Sequence, residues 1–122
     1  MRALLPGLIG AMLSLVPVSG SAEEKALSGE DLLKHCEAAL QEGAPQSFEA
    51  GVCVGILQTL GYMQPLLDPK YGKAGYCLPQ GLPDEQEVQV VVTYLQSHPE
   101  RRQEEGSTLA LDALHQAFPC KQ

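Results

Sequence analysis

Four cysteines in a chain of 122 residues set the terms for what this protein can fold into. They are Cys36, Cys53, Cys77 and Cys120. An even number of cysteines in an oxidising compartment reads as disulfides, which steady a chain too short to bury a large core. Metal ligation is the alternative, and the spacing speaks against it. The intervals of 17, 24 and 43 residues match no zinc ligand set, and neither C-x-x-C nor the haem-attaching C-x-x-C-H occurs.

The compartment is read from the first residues. Arg2 precedes an apolar run from Ala3 to Val18, and the small residues Gly20, Ser21 and Ala22 follow. This is the layout of a secretory signal peptide over residues 1–22, with cleavage expected after Ala22. The run is short for a membrane span, which needs about 20 apolar residues, and Pro6 and Gly7 break it. Residues 23–122 then form one exported domain holding all four cysteines. That domain carries seven Lys and Arg against fifteen Asp and Glu, a net charge of −8. Such a charge disfavours nucleic acid and anionic lipid as partners, and it permits a basic one.

Four helices are predicted, in an all-α bundle of four to five helices. The first opens at Ser28 with Asp31 three residues on, a capping-box pattern. Leu32, Cys36, Ala39 and Leu40 share one face of it, and Gly43, Ala44 and Pro45 end it. The second runs from about Ser47 to Met63, with Phe48, Val52, Ile56 and Leu60 as its expected buried stripe and Cys53 and Leu57 at the edge. Gly51 and Gly55, four apart, suggest that another backbone passes close to that helix. From Gln64 to Pro83, four prolines and three glycines predict a loop containing Cys77. The third helix is expected from Asp84, with Glu87 completing a capping pattern and Val88, Val91, Val92 and Leu95 facing inward. His98 and Pro99 stop it. A charged linker from Glu100 to Glu105 leads to the last helix. Ser107 is its expected cap, and Ala110, Leu111, Leu114, Ala117 and Phe118 its expected buried face.

Helix placement bears on the crosslinks. In an antiparallel hairpin, residues equally far from the turn face each other. With the turn centred near residues 44 and 45, Cys36 and Cys53 each lie about eight residues away. Of three possible connectivities this favours Cys36–Cys53, leaving Cys77–Cys120 to tie the end of the last helix to the central loop.

Signs of catalysis are lacking. His35 adjoins Cys36 on a helix, so their side chains diverge and cannot pair as nucleophile and base. His98 stands at a helix end, and His115 on a polar face. Glu23/Glu24, Glu30/Asp31 and Glu104/Glu105 read as solvated or capping charges. No phosphate loop, G-x-S-x-G or H-E-x-x-H is present. The expectation is a binding protein with no enzymatic activity, no cofactor and no metal.

Four stretches together carry a resemblance. They are GVCVGILQTL at 51–60, CLPQG at 77–81, VVVTYLQSHPE at 90–100 and ALDALHQAFPC at 110–120. In this order, with four cysteines and an export signal, the chain resembles the Rap/Tai family of immunity proteins against type VI secretion amidase effectors. The likeness runs from Cys36 to Cys120. It implies an all-helical periplasmic protein, often a homodimer, that binds a peptidoglycan amidase and blocks its active-site cleft. One departure lies in the second helix. Gly55 matches the family's C-x-G-Y pattern after Cys53, whereas Ile56 stands where the aromatic is expected.

Two surfaces are candidates for the contact with such a partner. Lys70, Tyr71, Lys73 and Tyr76 in the central loop form the one concentrated basic and aromatic set in an acidic chain, and Tyr is a good interface anchor. Arg101, Arg102, Glu104 and Glu105 in the linker are expected to form a protruding polar tip. A periplasmic acid-stress chaperone of the HdeA kind, also small, helical and disulfide-bonded, is the alternative reading. It predicts loosening at low pH.

Overall fold

In the computed structural model, which describes residues 20, 25–41, 47–71 and 75–120, the expected capping box opens the first helix. Ser28 Oγ accepts from the Asp31 backbone N–H at 3.2 Å and donates to the Asp31 carboxylate at 2.7 Å. The Ser28 N–H also faces that carboxylate, at 3.4 Å. Helix α1 then spans Gly29–Ala39, α2 Phe48–Tyr71, α3 Asp84–Ser97 and α4 Gly106–Ala117, with a short 3-10 turn Pro99–Arg101 between the last two. Among the described residues there is no strand, only isolated bridges at Ser28/Glu105 and Tyr76/Pro119. The expected cleavage site, the turn at 43–45 and Lys73 lie outside the described residues.

The core gathers apolar side chains from all four helices. Leu32 and Leu33 of α1 meet Leu57 and Leu60 of α2, the α3 stripe Val88, Val91, Val92 and Leu95, and Leu109, Ala110, Ala113 and Leu114 of α4. The stripe expected for α3 is the buried one. In α4 the face is rotated: Leu109 and Ala113 are buried, whereas Ala117 is exposed and Leu111 and Phe118 half-buried. The cap differs accordingly. Glu105, rather than Ser107, receives the Ser107 and Thr108 N–H groups at 3.1 and 3.0 Å.

Helix α2 departs further. Its buried residues are Ala50, Cys53, Leu57 and Leu60, so the expected stripe is turned by roughly one residue. Phe48 is 78 % exposed, and Val52 and Ile56 are half-buried. The cause is the crosslink. Cys36–Cys53 forms with the Cα atoms 5.0 Å apart, and the residues one and two turns along from Cys53 are forced inward with it. Helix α2 also continues through Pro65 and Pro69 to Tyr71, where a loop was expected. Proline's fixed φ of about −65° is a helical value, although each ring removes a backbone donor and crowds the carbonyl four residues earlier, so α2 carries both at a cost. Helix α3 starts at Asp84 as expected, but without a side-chain cap, and Glu87 is buried instead of reaching back to the helix start.

The close backbone approach is not at Gly51 and Gly55, where an added Cβ would meet nothing within 4 Å. It is at the paired starts of α1 and α4. The Gly29 N–H donates to the Glu104 carbonyl at 2.9 Å, Glu30 N–H to Arg102 at 2.9 Å, and Gly106 N–H to Leu27 at 2.7 Å. A Cβ on Gly106 would lie 3.0 Å from the carbonyl oxygens of Leu27 and Ser28, and one on Gly29 would collide with Leu109. Each helix start thus satisfies donors of the other, which an isolated helix leaves open.

A candidate interaction surface

The second crosslink, Cys77–Cys120 with Cα atoms 4.9 Å apart, is the pairing expected from the spacing. The Cys77 N–H donates to the Phe118 carbonyl at 2.8 Å, beside the Tyr76/Pro119 bridge. The segment after α2 is thereby laid against the end of α4. Gln64 of α2 bonds the Tyr76 carbonyl with its side-chain amide. These anchors seat Tyr76 in the core at 1 % exposure.

That placement changes the first candidate surface. Tyr76, expected beside Lys70, Tyr71 and Lys73 on an open loop, is a core residue whose hydroxyl is buried without a hydrogen-bond partner. Burial, with the Glu87 charge adding to it, pushes its phenol up to about 12. Lys70 and Tyr71 lie on the last turn of α2, not in a loop. The sequence held no sign of this, because Tyr76 sits among turn residues where burial has no periodicity to betray it.

The linker is likewise no free tip. Arg101 holds Glu104 through two nitrogens, at 3.0 and 2.7 Å, and reaches Asp112 of α4 at 2.9 Å. It also donates to the Tyr94 hydroxyl. These hydrogen bonds raise the guanidinium further and hold the Glu104 carboxyl below its usual range. Arg102 turns the other way. Its Nε donates to the Leu95 carbonyl at 2.8 Å, and its NH1 lies 3.7 Å from Glu30. Glu105 caps α4: burial pushes its carboxyl up, but bonds from Thr108 and Ser107 outweigh this and hold it low. All four linker residues are engaged within the chain.

An open surface lies on α2 and includes Phe48 and Val52, both expected in the core. Phe48 at 78 %, Tyr62 at 84 % and Met63 at 43 % exposure stand on the outside of α2. Gly51, Gly55 and Thr59, also exposed, lie between them. Phe48, Val52, Gly55, Thr59 and Tyr62 follow each other at steps of four and three, so they form a single outward stripe about 21 Å long. An aromatic residue stands at each end and the glycines leave the middle flat. Aromatic groups exposed along one face of a helix make that face a candidate for protein contact. Periodicity could not separate this face from the buried one because α2 is apolar on both sides.

Elsewhere, an open groove of about 450 Å³ runs between α3 and α4, lined by Thr93, Tyr94, His98, Ala113 and Gln116 among others. The His98 ring stacks on Tyr94 at 4.2 Å, and its Nδ1 lies 2.8 Å from the Tyr94 carbonyl. His115 is exposed, and His35 half-buried. Among the described residues no group of three or more His, Cys, Asp or Glu is placed to hold a metal ion, and no helix is long and apolar enough to cross a membrane. All four cysteines are consumed in the two disulfides.

Compared with known proteins, residues 28–120 match the sequence model of one family, described as the Rap1a immunity proteins. Searches of curated proteins and of solved structures returned no match.

Proposed function

The chain belongs to the Rap1a immunity proteins, and from that membership we propose that it protects its own cell by binding a type VI secretion amidase and obstructing the cleft that cleaves peptidoglycan. The signal peptide read at residues 1–22 takes it to the periplasm, where such an effector meets its substrate. It acts by occupancy, without turnover, as befits a family of immunity proteins.

The observation that carries the reading is the outward face of α2. Phe48 and Tyr62 are aromatic anchors carried by a helix that the Cys36–Cys53 bridge fixes to the core. Aromatic side chains have only two torsions to restrict on binding, and a fixed helix backbone adds no ordering cost of its own, which favours association. Lys70, Tyr71 and Lys73 are proposed as further contacts that bring positive charge to the partner. From the linker, Glu104 is proposed as a rim contact, since its side chain is 48 % exposed even while paired with Arg101.

The test is direct. Purified chain is titrated into candidate type VI peptidoglycan amidases while release of peptidoglycan fragments is followed, and light scattering reads whether one or two copies bind each amidase. Hydrolysis should stop at a stoichiometric ratio. Phe48→Asp with Tyr62→Asp should weaken inhibition by at least about 30-fold, the effect of losing a 2 kcal/mol hot spot, with the melting temperature little changed. Undiminished hydrolysis at excess chain would overturn the reading.

A further inference from the structure

Among the described residues, Glu87 is the one charged side chain that is buried, at 9 % exposure. It stands in the first turn of α3, one turn after Asp84. Its Oε1 is shielded from solvent and no donor reaches it. The space beside it admits no water and is walled by Val54 and Leu57 of α2 and Val88 of α3, with exposed Gln58 and Asp84 at its edge. The Tyr76 hydroxyl, a second buried group without a partner, feels the charge of Glu87.

A carboxylate with one oxygen so placed loses part of its hydration with no hydrogen bond in return, whereas the protonated acid loses less. We propose that Glu87 is a proton-operated latch on the seam between α2 and α3: taking up a proton tightens the first turn of α3 and the neighbouring Tyr76 against α2, and releasing it loosens them. The neighbours agree in sign. Helix α2 offers the uncharged Gln58, the preceding segment offers Tyr76, and α3 offers Asp84; α1 and α4 contribute nothing to the wall. Burial pushes the Glu87 carboxyl up, and the charge of Asp84 adds to this. Tyr76 stays neutral to about 12 and so does not titrate in the same range.

The sign follows. A carboxyl raised in the folded state adds stability that is fully present below its unfolded value and is lost as pH rises through the folded one. Asp31, Glu104 and Glu105, all held low, act in the opposite direction and in a lower window. The Glu87 contribution therefore lies above theirs in pH and has the opposite sign, and the difference between wild type and a Glu87 variant isolates it. An acid-stress chaperone would loosen on acidification, and this seam closes.

Urea unfolding of the intact protein and of Glu87→Gln between pH 4.5 and 8 tests the latch. The wild-type folding constant should fall with rising pH by up to about tenfold per unit within the window. The variant, which keeps the shape but not the charge, should lose that slope and be the more stable of the two at pH 8. Equal slopes in both proteins would overturn the proposal. Should Glu87→Gln not fold, a carbon-13 titration of the Glu87 carboxyl in the wild type decides. A midpoint above the ordinary glutamate value supports the latch and one at or below it refutes it. Neither readout depends on what the protein binds.

Discussion

Arg102 closes the end of α3: its Nε donates to the Leu95 carbonyl at 2.8 Å, and a second nitrogen reaches the Gln96 carbonyl at 3.3 Å. Carbonyls at a helix end have no partner within the helix, and a cation there also opposes the helix dipole. Arg102→Ala should therefore cost about 1–2 kcal/mol of stability, read as a shift in the urea midpoint. Arg102→Lys should recover only part of it, because an ammonium cannot reproduce the fork.

The two disulfides should differ in weight. By loop-closure entropy, a bridge across 17 residues contributes about 3 kcal/mol and one across 43 about 4. Replacing Cys77 and Cys120 with alanine should accordingly lower stability more than replacing Cys36 and Cys53. The first loss should also free Tyr76, visible as a rise in tyrosine accessibility. Comparable losses for the two pairs would show that strain or packing, not chain entropy, sets the contribution.

Glycine substitutions should separate the tight positions from the open ones. Gly106→Ala forces a methyl to 3.0 Å from two carbonyl oxygens, and Gly29→Ala drives one into Leu109. Each should destabilise by about 1–3 kcal/mol. Gly51→Ala and Gly55→Ala meet nothing and remove a poor helix former, so each should stabilise by about 0.5–1 kcal/mol. Thermal melts of the four variants check all of these signs at once. Loss of amidase inhibition by the two stabilised α2 variants would mark the flat middle of that face as the contact.

The acid limb of the stability curve should trace the helix caps. Asp31 is held below its ordinary value by the side-chain and backbone hydrogen bonds of Ser28. Such a group adds stability above its unfolded value of 3.8, and the contribution disappears as pH falls through the lower folded one. Asp31→Asn should lower stability evenly above pH 5, flatten the fall below about pH 4, and leave the slope above pH 5 unchanged. A changed slope in the higher region would contradict the assignment.

Much of this was legible before folding. Ser28 with Asp31, and Val88, Val91, Val92 and Leu95, announce α1 and α3 through local chemistry and period alone. The pairing of Cys36 with Cys53 follows from equal distances to one turn, and Cys77 with Cys120 by elimination. Other features depend on partners far away in the chain. Tyr76 is buried because Gln64, Phe118 and the Cys77 crosslink hold its backbone, and turn residues around it carry no sign of this. Arg101 and Arg102 look like a charged tip until Asp112 and Leu95 are brought beside them.

The amino-acid order by itself thus determined the helical class, the crosslinks and all four helix starts to within about two residues, because caps, periods and hairpin symmetry act over one or two turns. Only the tertiary structure decided which side of α2 is buried and which faces outward. Both sides of that helix are apolar, so the choice rests on where Cys53 is pulled by Cys36, and its consequence is the exposure of Phe48 and Tyr62.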